Sequence, residues 1–236
     1  MNEHRRQFLV LAASATTFAA LPLSLRAADK MKIGIIGSGN VGSALGAVWV
    51  TAGHEVMFSS RHLEHDQSLA AKLGAGALAG TPRVAAAFGD VLLFSVPYRA
   101  LPDLGKDLAN ELQGKVVIDA CNPFPSRDGE IADWAREKGA GLASAELLPG
   151  ARIVRAFNAI GAASMGSAHR EPGRLGMPIA GDDAQAIEIA SDLIREIGYE
   201  PVLIGGLAMG KHLVPGTPLA GEHSAEEIRR IAAELM

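Results

Sequence analysis

Three glycines at fixed spacing are the first residues in this sequence that could carry out chemistry. A β-branched run leads into them and a helical pattern follows, in the segment Gly37-Ser38-Gly39-Asn40-Val41-Gly42. In such a strand-turn-helix unit the first glycine allows a tight turn, the second lets a pyrophosphate approach the backbone, and the third lets the helix pack against the strand. Free amides around Asn40 and Val41, with the helix dipole, would attract phosphate charge. The motif predicts a dinucleotide-binding turn; the alternative is a tight turn without a ligand.

Two serines, an arginine and a histidine follow the second β-branched run, in the order Ser59-Ser60-Arg61-His62. At this position an NAD-specific domain carries an acidic residue that accepts hydrogen bonds from the ribose hydroxyls. A carboxylate would repel a 2′-phosphate, whereas serine hydroxyls and a guanidinium can hydrogen-bond to it. The stretch therefore predicts a preference for NADP(H). Alternatively, Arg61 and His62 are ordinary solvated residues, and nearby Glu64 weakens the preference if it faces the phosphate.

Few other side chains fit a catalytic role. Near the predicted strand ends there is no Ser-Tyr-Lys set, no pair of carboxylates and no Cys-His couple, which are the usual acid, base and nucleophile combinations. Lys211 and His212 are the candidate proton donors, relevant if the substrate is a carbonyl or imine, and otherwise a solvated pair. Asn122 and Asn158 either contribute to a site or cap turns.

Composition limits the classes of protein. The chain has 236 residues, of which 48% are hydrophobic and 20% charged, which suits one well-packed domain. Its formal charge of −4 is spread without basic blocks, so no nucleic-acid partner is expected. Cys121 is the single cysteine, and the histidines lack metal-ligand spacing, so neither a disulfide nor a metal site is expected.

Short β-branched runs alternate with helical stretches from Met31 onward, which predicts an α/β fold of the Rossmann type, with a doubly wound, mainly parallel sheet. The predicted strands are Lys32–Gly37, Glu55–Ser59, Val91–Val96, Lys115–Ala120, Arg152–Phe157, Met177–Gly181 and Glu200–Ile204. The predicted helices are Val41–Ala52, Gln67–Leu73, Pro82–Phe88, Leu101–Leu112, Ile131–Lys138, Asp183–Ile197 and Ser224–Leu235. Residues 28–204 would form the dinucleotide-binding domain. Residues 205–236 would form a small C-terminal loop and helix extension, through which a homodimer could assemble.

The first residues differ from the rest. Arg5-Arg6-Gln7-Phe8-Leu9 leads into an uncharged run that ends at Leu25, and small residues surround Ala27. Residues 1–27 therefore resemble a twin-arginine export signal, which predicts a periplasmic or secreted protein without stable membrane insertion after cleavage. The alternatives are an uncleaved membrane anchor or a disordered start on a cytoplasmic protein.

In its glycine motif and in several longer segments, the chain resembles the NADP-dependent coenzyme F420 reductase family. The fold of that family recurs in the cytosolic domain of STEAP-type metalloreductases. The similarity covers about Met31 to Leu219. Besides the glycine motif with Ser60-Arg61, it is carried by the segments DVLLFSVP (90–97), KVVIDACNP (115–123), LLPGARIVRAFNAIGA (147–162) and PIAGDDAQAIEIASDLIREIGYEPVLIGGL (178–207). The last two segments are the specific ones. Pyrroline-5-carboxylate reductases resemble the first half only.

The resemblance implies where the cofactor would lie. Ser60, Arg61, His62 and His65 would surround the 2′-phosphate, with histidines where the family has basic side chains, so that affinity would depend more on pH. Val96 and Pro97 would line the adenosine side, where the third predicted strand ends. Asn158 and Ile160 would lie beside the nicotinamide, with Asn122 as a further candidate.

The resemblance also implies the reaction. It would be hydride transfer between NADP(H) and a small acceptor such as F420 or a flavin, in which the protein orients two rings and supplies little acid-base help. The alternatives are an NADP-binding or sensory protein without turnover, and a ferric or imine reductase on the same fold.

Overall fold

The computed structural model describes residues 30–166 and 175–235. The predicted export signal, residues 1–27, lies outside the described residues. Among the helices in the described ranges, none has the length and apolar character needed to cross a membrane.

One eight-stranded sheet organises the chain, with the strand order β3-β2-β1-β4-β5-β6-β7-β8. All neighbouring strands are parallel except β6 and β7, which are antiparallel. The predicted α/β class and mainly parallel sheet are confirmed. The strands are β1 (Lys32–Ile36), β2 (Glu55–Ser59), β3 (Ala77–Ala79), β4 (Val91–Phe94), β5 (Val116–Asp119), β6 (Arg152–Arg155), β7 (Leu175–Gly181) and β8 (Tyr199–Leu203).

Helices cover both faces of the sheet. They are α1 (Asn40–Ala52), α2 (Leu63–Leu73), α3 (Pro82–Phe88), α4 (Leu101–Asp107), α5 (Pro125–Asp128), α6 (Glu130–Lys138), α7 (Ala140–Leu147), α8 (Ala162–Met165), α9 (Ala184–Glu196) and α10 (Ala225–Glu234). Within residues 30–166 and 175–235, two 3₁₀ helices span Tyr98–Ala100 and Leu207–His212.

Several elements differ from the sequence prediction, among them the short helices α5 and α8, which were not predicted. Strand β3 was not predicted, because three residues of Ala-Leu-Ala carry little β propensity. Helix α7 was not predicted either, since its Ala, Gly and Ser residues lack an apolar stripe. Helix α2 begins at Leu63 rather than Gln67, and α4 ends at Asp107 rather than Leu112.

The core lies in two layers, one on each face of the sheet. On one face α1 and α9 pack together, and the buried indole nitrogen of Trp49 donates a hydrogen bond to the Leu193 carbonyl at 3.0 Å. On the other face Ala85, Leu101 and Ala143 come from three different helices. These layers hold the carboxyl ends of β1, β2, β4, β5 and β6 along one edge, where ligands bind in folds of this type.

The C-terminal extension packs on β7 and β8. Leu219 and Ile228 form a third apolar cluster with Ala180 and Val202. Helix α10 begins with a capping box, in which Ser224 accepts from the Glu227 amide and Glu227 accepts from the Ser224 amide. Whether this helix also contacts a second copy of the chain stays a prediction.

Candidate functional site

A groove of about 480 Å³ lies beyond the carboxyl ends of β1, β2 and β4. Its position agrees with the rule that ligands bind where the strand order of a doubly wound sheet reverses, here on either side of β1. The groove is lined by Ile36, Gly37, Ser38, Gly39, Ser60, Arg61, His62, His65, Pro82, Ser95, Val96, Pro97, Arg99, Ala100, Asp103, Leu104 and Asp107.

The glycine turn forms the floor of the groove. Gly37 has a φ of +106°, and a Cβ there would lie 2.5 Å from the Ser95 carbonyl oxygen, so only glycine fits. A Cβ on Gly42 would collide with the Gly37 carbonyl oxygen. At Gly39 a Cβ would meet nothing within 4 Å. Gly39 is also the residue before α1, so the open space above it faces the free amides of a helix N-terminus, which suit an anion.

The two serines at the end of β2 differ in position, because Ser59 is buried and Ser60 lines the groove. Ser59 is buried, and its hydroxyl donates to the Ile35 carbonyl at 2.6 Å. Its side chain therefore turns into the sheet and is not part of the groove lining, while its carbonyl accepts from the amides of Gly37 and Ser38 at 2.9 and 3.0 Å. Ser60 lies in the lining. The Ser59 contacts thus tie the glycine turn to the loop that follows β2.

Three basic side chains stand at this end of the groove. Arg61, His62 and His65 are all exposed and line it. Among the described residues no salt bridge or hydrogen bond involves the Arg61 guanidinium, whose five donors are thus available to a ligand. Glu64 is exposed but is not a lining residue.

A buried carboxylate that the sequence analysis missed lies beneath this loop. Asp66, in the first turn of α2, is fully buried. The Ser38 hydroxyl donates to its Oδ1, and the Ser60 hydroxyl donates to its Oδ2 at 2.8 Å. His65 Nδ1 lies 3.5 Å from Oδ1. An acidic residue in the first turn of a helix that starts at Leu63 was the available signal, but the predicted helix started one residue too late to include it.

The opposite wall is apolar near the sheet and charged farther out. Val96 and Pro97 follow β4 and line the groove, and their contact with adenosine stays a prediction. Arg99, Asp103 and Asp107 were not singled out in the sequence, and they line the same wall. The Arg99 guanidinium donates to the Arg127 carbonyl at 2.5 Å.

Asn122 and Asn158 meet at the carboxyl ends of β5 and β6, outside the groove lining. The Asn122 amide nitrogen donates to the Asn158 carbonyl at 2.8 Å, and the Asn158 amide nitrogen donates to the Cys121 carbonyl at 3.2 Å. Both side-chain oxygens are buried without a partner among the described residues. Such unpaired acceptors cost free energy, so they mark a place where a donor would be stabilised. Ile160 is also buried nearby in the chain, at 9% exposure.

The remaining candidates contribute little reactive chemistry. Burial, and then the Lys211 charge, lower the pKa of His212, which favours the neutral imidazole, a poor proton donor. Neither Lys211 nor His212 lines the groove. Burial, and then Asp119, raise the pKa of the Cys121 thiol, so this thiol is not a nucleophile of the thiolate type. The part of the chain that the structure describes contains no cluster of three His, Cys, Asp or Glu side chains suited to a metal.

Comparison with known proteins relates this groove to a family. The family model described as "NADP oxidoreductase coenzyme F420-dependent" matches residues 32–123. The F420-dependent NADP reductase of Methanothermobacter thermautotrophicus is 31% identical over 205 residues, which cover 80% of this chain and 87% of that protein. Metalloreductase STEAP3 of Rattus norvegicus is 28% identical over 182 residues, or 77% of this chain, but the match spans only 35% of that protein.

The chain is also similar to a solved structure. The hypothetical protein SMa0349 from Sinorhizobium meliloti superimposes with a TM-score of 0.70 at 28% identity, covering 83% of this chain and 95% of that one. The chain belongs to the family of F420-dependent NADP oxidoreductases.

Proposed function

We propose that the chain binds NADP(H) in the groove and transfers hydride between the nicotinamide and a flavin-type or deazaflavin-type (F420-like) acceptor. The observation that carries the proposal is the position of Arg61. It is exposed in the groove at the end of β2, where the adenosine ribose lies in dinucleotide-binding folds. A guanidinium is permanently charged and can bind a phosphate with two parallel hydrogen bonds. Arg61 would therefore bind the 2′-phosphate, with His62 and His65 beside it.

The glycine turn would hold the pyrophosphate. The empty space above Gly39 would admit it to the backbone, and the amides of Asn40 and Val41 at the start of α1 would face it. Val96 and Pro97 would contact the adenosine on the opposite wall.

Asn122 and Asn158 would orient the nicotinamide. A carboxamide group supplies N–H donors, and the two asparagine oxygens are buried acceptors that lack a partner in the described chain. Pairing them with a donor would remove a desolvation cost, so the same contact would stabilise the bound ring and the protein. The amide nitrogens of both asparagines are already fixed by backbone carbonyls, which sets the direction of their oxygens.

When bound, the dinucleotide supplies the hydride chemistry, and the chain's own residues bind, orient and exclude water. Hydride transfer between two rings needs no strong acid from the protein. A neutral His212 and a protonated Cys121 are therefore compatible with this reaction. The acceptor class is taken from the matching relative, the F420-dependent NADP reductase of M. thermautotrophicus.

The similarity to a metalloreductase favours ferric ion as a second candidate acceptor, in which case each NADPH would reduce two Fe³⁺ to Fe²⁺ and release one proton to solvent. Because that match covers about a third of the metalloreductase, this chain would provide the NADP(H)-binding part of such an activity. A non-catalytic NADP-binding protein would share the groove and lack turnover.

Titration of NADPH and NADH against the wild type and Arg61→Ala tests the cofactor assignment. Losing the phosphate contact should weaken NADPH binding by about 1.5–3 kcal/mol and leave NADH binding nearly unchanged. Arg195→Ala is the matched control, because Arg195 is a half-exposed arginine on α9 that pairs with Asp192. Equal wild-type affinity for the two dinucleotides would refute the assignment.

The acceptor is tested separately, by NADPH oxidation in the presence of deazaflavin, FMN or a ferric chelate. Oxidation by deazaflavin or FMN supports the proposed reaction, and oxidation by the ferric chelate alone supports the second candidate. Indifference to all three would leave a dinucleotide-binding protein without turnover.

A further inference from the structure

The buried carboxylate of Asp66 connects the two loops that would hold opposite ends of the adenosine diphosphate. Ser38 belongs to the glycine turn and Ser60 to the loop after β2. Their hydroxyls both donate to this one side chain, Ser38 to Oδ1 and Ser60 to Oδ2 at 2.8 Å. Asp66 has no exposed surface and is absent from the groove lining. It would therefore act on a ligand only through the two serines and through its charge.

The directions of the Ser38 and Ser60 hydroxyl protons determine whether these serines can donate hydrogen bonds to a ligand in the groove. A carboxylate only accepts hydrogen bonds, and a serine hydroxyl has one proton to donate. The Ser60 oxygen also accepts from the His62 amide at 3.0 Å, and its alternative acceptor, the His62 carbonyl, is farther away at 3.4 Å. The Ser60 proton is thus directed into the protein, toward Asp66. The groove receives lone pairs from Ser60, which do not bind a phosphate oxygen.

The negative charge of the Asp66 carboxylate also disfavours binding of a 2′-phosphate. A 2′-phosphate beside Ser60 would lie one side chain away from the Asp66 carboxylate, which protein atoms shield from water. Like charges at such separations repel by more than they do in bulk water. The ribose 2′-hydroxyl of NAD(H) is neutral and escapes this repulsion, whereas the pyrophosphate is common to both dinucleotides.

We propose that Asp66 is a specificity-determining residue that weakens the preference for NADP(H) over NAD(H), by holding the Ser60 proton away from the groove and by repelling the 2′-phosphate. The proposal rests on the binding of NADP(H) proposed above. Preference for NADP(H) then depends on Arg61, with Ser60 contributing shape and not a hydrogen bond.

The matched substitution is Asp66→Asn, which keeps the shape of the side chain. An amide has one oxygen acceptor and two N–H donors, so it can accept from one serine while it donates to the other, whose proton becomes free to face the groove. Asp66→Asn should raise NADPH affinity about tenfold and change NADH affinity less than about twofold. Asp133→Asn, on the exposed face of α6, is the control for the change in net charge and should alter neither affinity.

A double-mutant cycle with Ser60→Ala separates the hydrogen bond from the charge. In the wild-type background, Ser60→Ala should change NADPH affinity less than about twofold, because its proton is not available to the phosphate. In the Asp66→Asn background the same substitution should remove much of the gained affinity. This wild-type arm decides the hydrogen-bond part of the proposal even if Asp66→Asn fails to fold.

The outcomes distinguish the proposal from the assignment on which it rests. A wild-type protein without measurable NADPH binding refutes the proposed function. A wild type that binds NADPH through Arg61, together with an Asp66→Asn variant whose ratio of NADPH to NADH affinity is unchanged, refutes the role of Asp66 alone. An equal fall in both affinities also refutes it, since that is the result expected of a purely structural carboxylate. A tenfold loss of NADPH affinity in Ser60→Ala would show that the serine donates to the phosphate after all.

Discussion

Two arginines at the same edge of the sheet are used in opposite ways. Arg61, after β2, is exposed and free of partners among the described residues, whereas Arg155, at the end of β6, is completely buried. The Arg155 guanidinium contacts Asp119 Oδ2 at 2.6 Å and donates to the carbonyls of Cys121 and Leu213 at 3.2 and 3.0 Å. The first arginine therefore offers its donors to a ligand, whereas the second forms three hydrogen bonds within the fold.

The difference extends to the surrounding residues. At the β2 end, close contacts within the turn shape an open groove, and Gly39 leaves room above the backbone. At the β6 end, contacts between distant segments close the structure, and Phe157 adopts a φ of +67°, which is uncommon for a residue with a side chain. Its ring packs edge-on against Trp49 at a centroid distance of 6.4 Å. The β2 end therefore has space for a ligand's phosphates, whereas packing holds the β6 end in an unusual backbone conformation.

The largest effect is expected from Arg155→Met. Removing one partner of a buried ion pair leaves an uncompensated charge on Asp119, so the free energy of unfolding should fall by about 3–5 kcal/mol. Urea denaturation followed by circular dichroism measures it. Arg61→Ala, by contrast, should change stability by no more than about 0.5 kcal/mol, as for most exposed positions.

The double variant Arg155→Met/Asp119→Leu is the control. Replacing both charges with apolar side chains removes the unpaired carboxylate, so it should recover part of the lost stability. If the double variant is as unstable as Arg155→Met, then the hydrogen bonds to Cys121 and Leu213 stabilise the β6 end, and the ion pair does not.

Two glycines of the same turn provide the next prediction. Gly39→Ala places a methyl group in open space with a φ of −69°, so stability should change by no more than about 0.5 kcal/mol. Binding of NADPH and NADH should weaken equally, by about tenfold or more (about 1.4 kcal/mol), because both dinucleotides carry the pyrophosphate. Gly42→Ala should instead lower stability as well, since its methyl group collides with the Gly37 carbonyl. Calorimetric titration and thermal denaturation of the two variants check this. Unchanged affinity in Gly39→Ala would place the pyrophosphate elsewhere.

The contrast between the β2 end and the β6 end also explains which features of the site could be predicted from the sequence. The glycine turn was predictable because strand, turn and helix lie within one short segment and sterics alone decide which glycines are needed. The basic residues after β2 were predictable because they also lie within one short segment, directly after a strand. The role of Asp66 was not, because its partner Ser38 lies 28 positions away in the sequence.

The β6 end was harder to predict because its geometry depends on distant segments. Asn122 and Asn158 were candidates, but their hydrogen bonds, to the carbonyls of Asn158 and Cys121, join residues 36 and 37 positions apart. No glycine or asparagine marks the positive φ of Phe157, so the sequence carries no signal for it. Ser59 shows a further limit: its hydroxyl points to the neighbouring strand and not to the groove, which depends on the local twist at a strand end.

The smallest effect is expected from Asn158→Leu, which removes one of the two unpaired oxygens and the hydrogen bond to the Cys121 carbonyl, and keeps a side chain of similar size. NADPH affinity should fall by about 0.5–1.5 kcal/mol, the value of one hydrogen bond to the nicotinamide carboxamide. Affinity for 2′,5′-ADP, which carries the 2′-phosphate but no nicotinamide, should not change. Arg61→Ala should weaken both ligands, so the pair of variants assigns the groove to the 2′-phosphate half of the cofactor and the β6 end to the nicotinamide half. If Asn158→Leu weakens 2′,5′-ADP as much as NADPH, then the substitution disturbs the whole groove through the sheet, and the two ends are not independent.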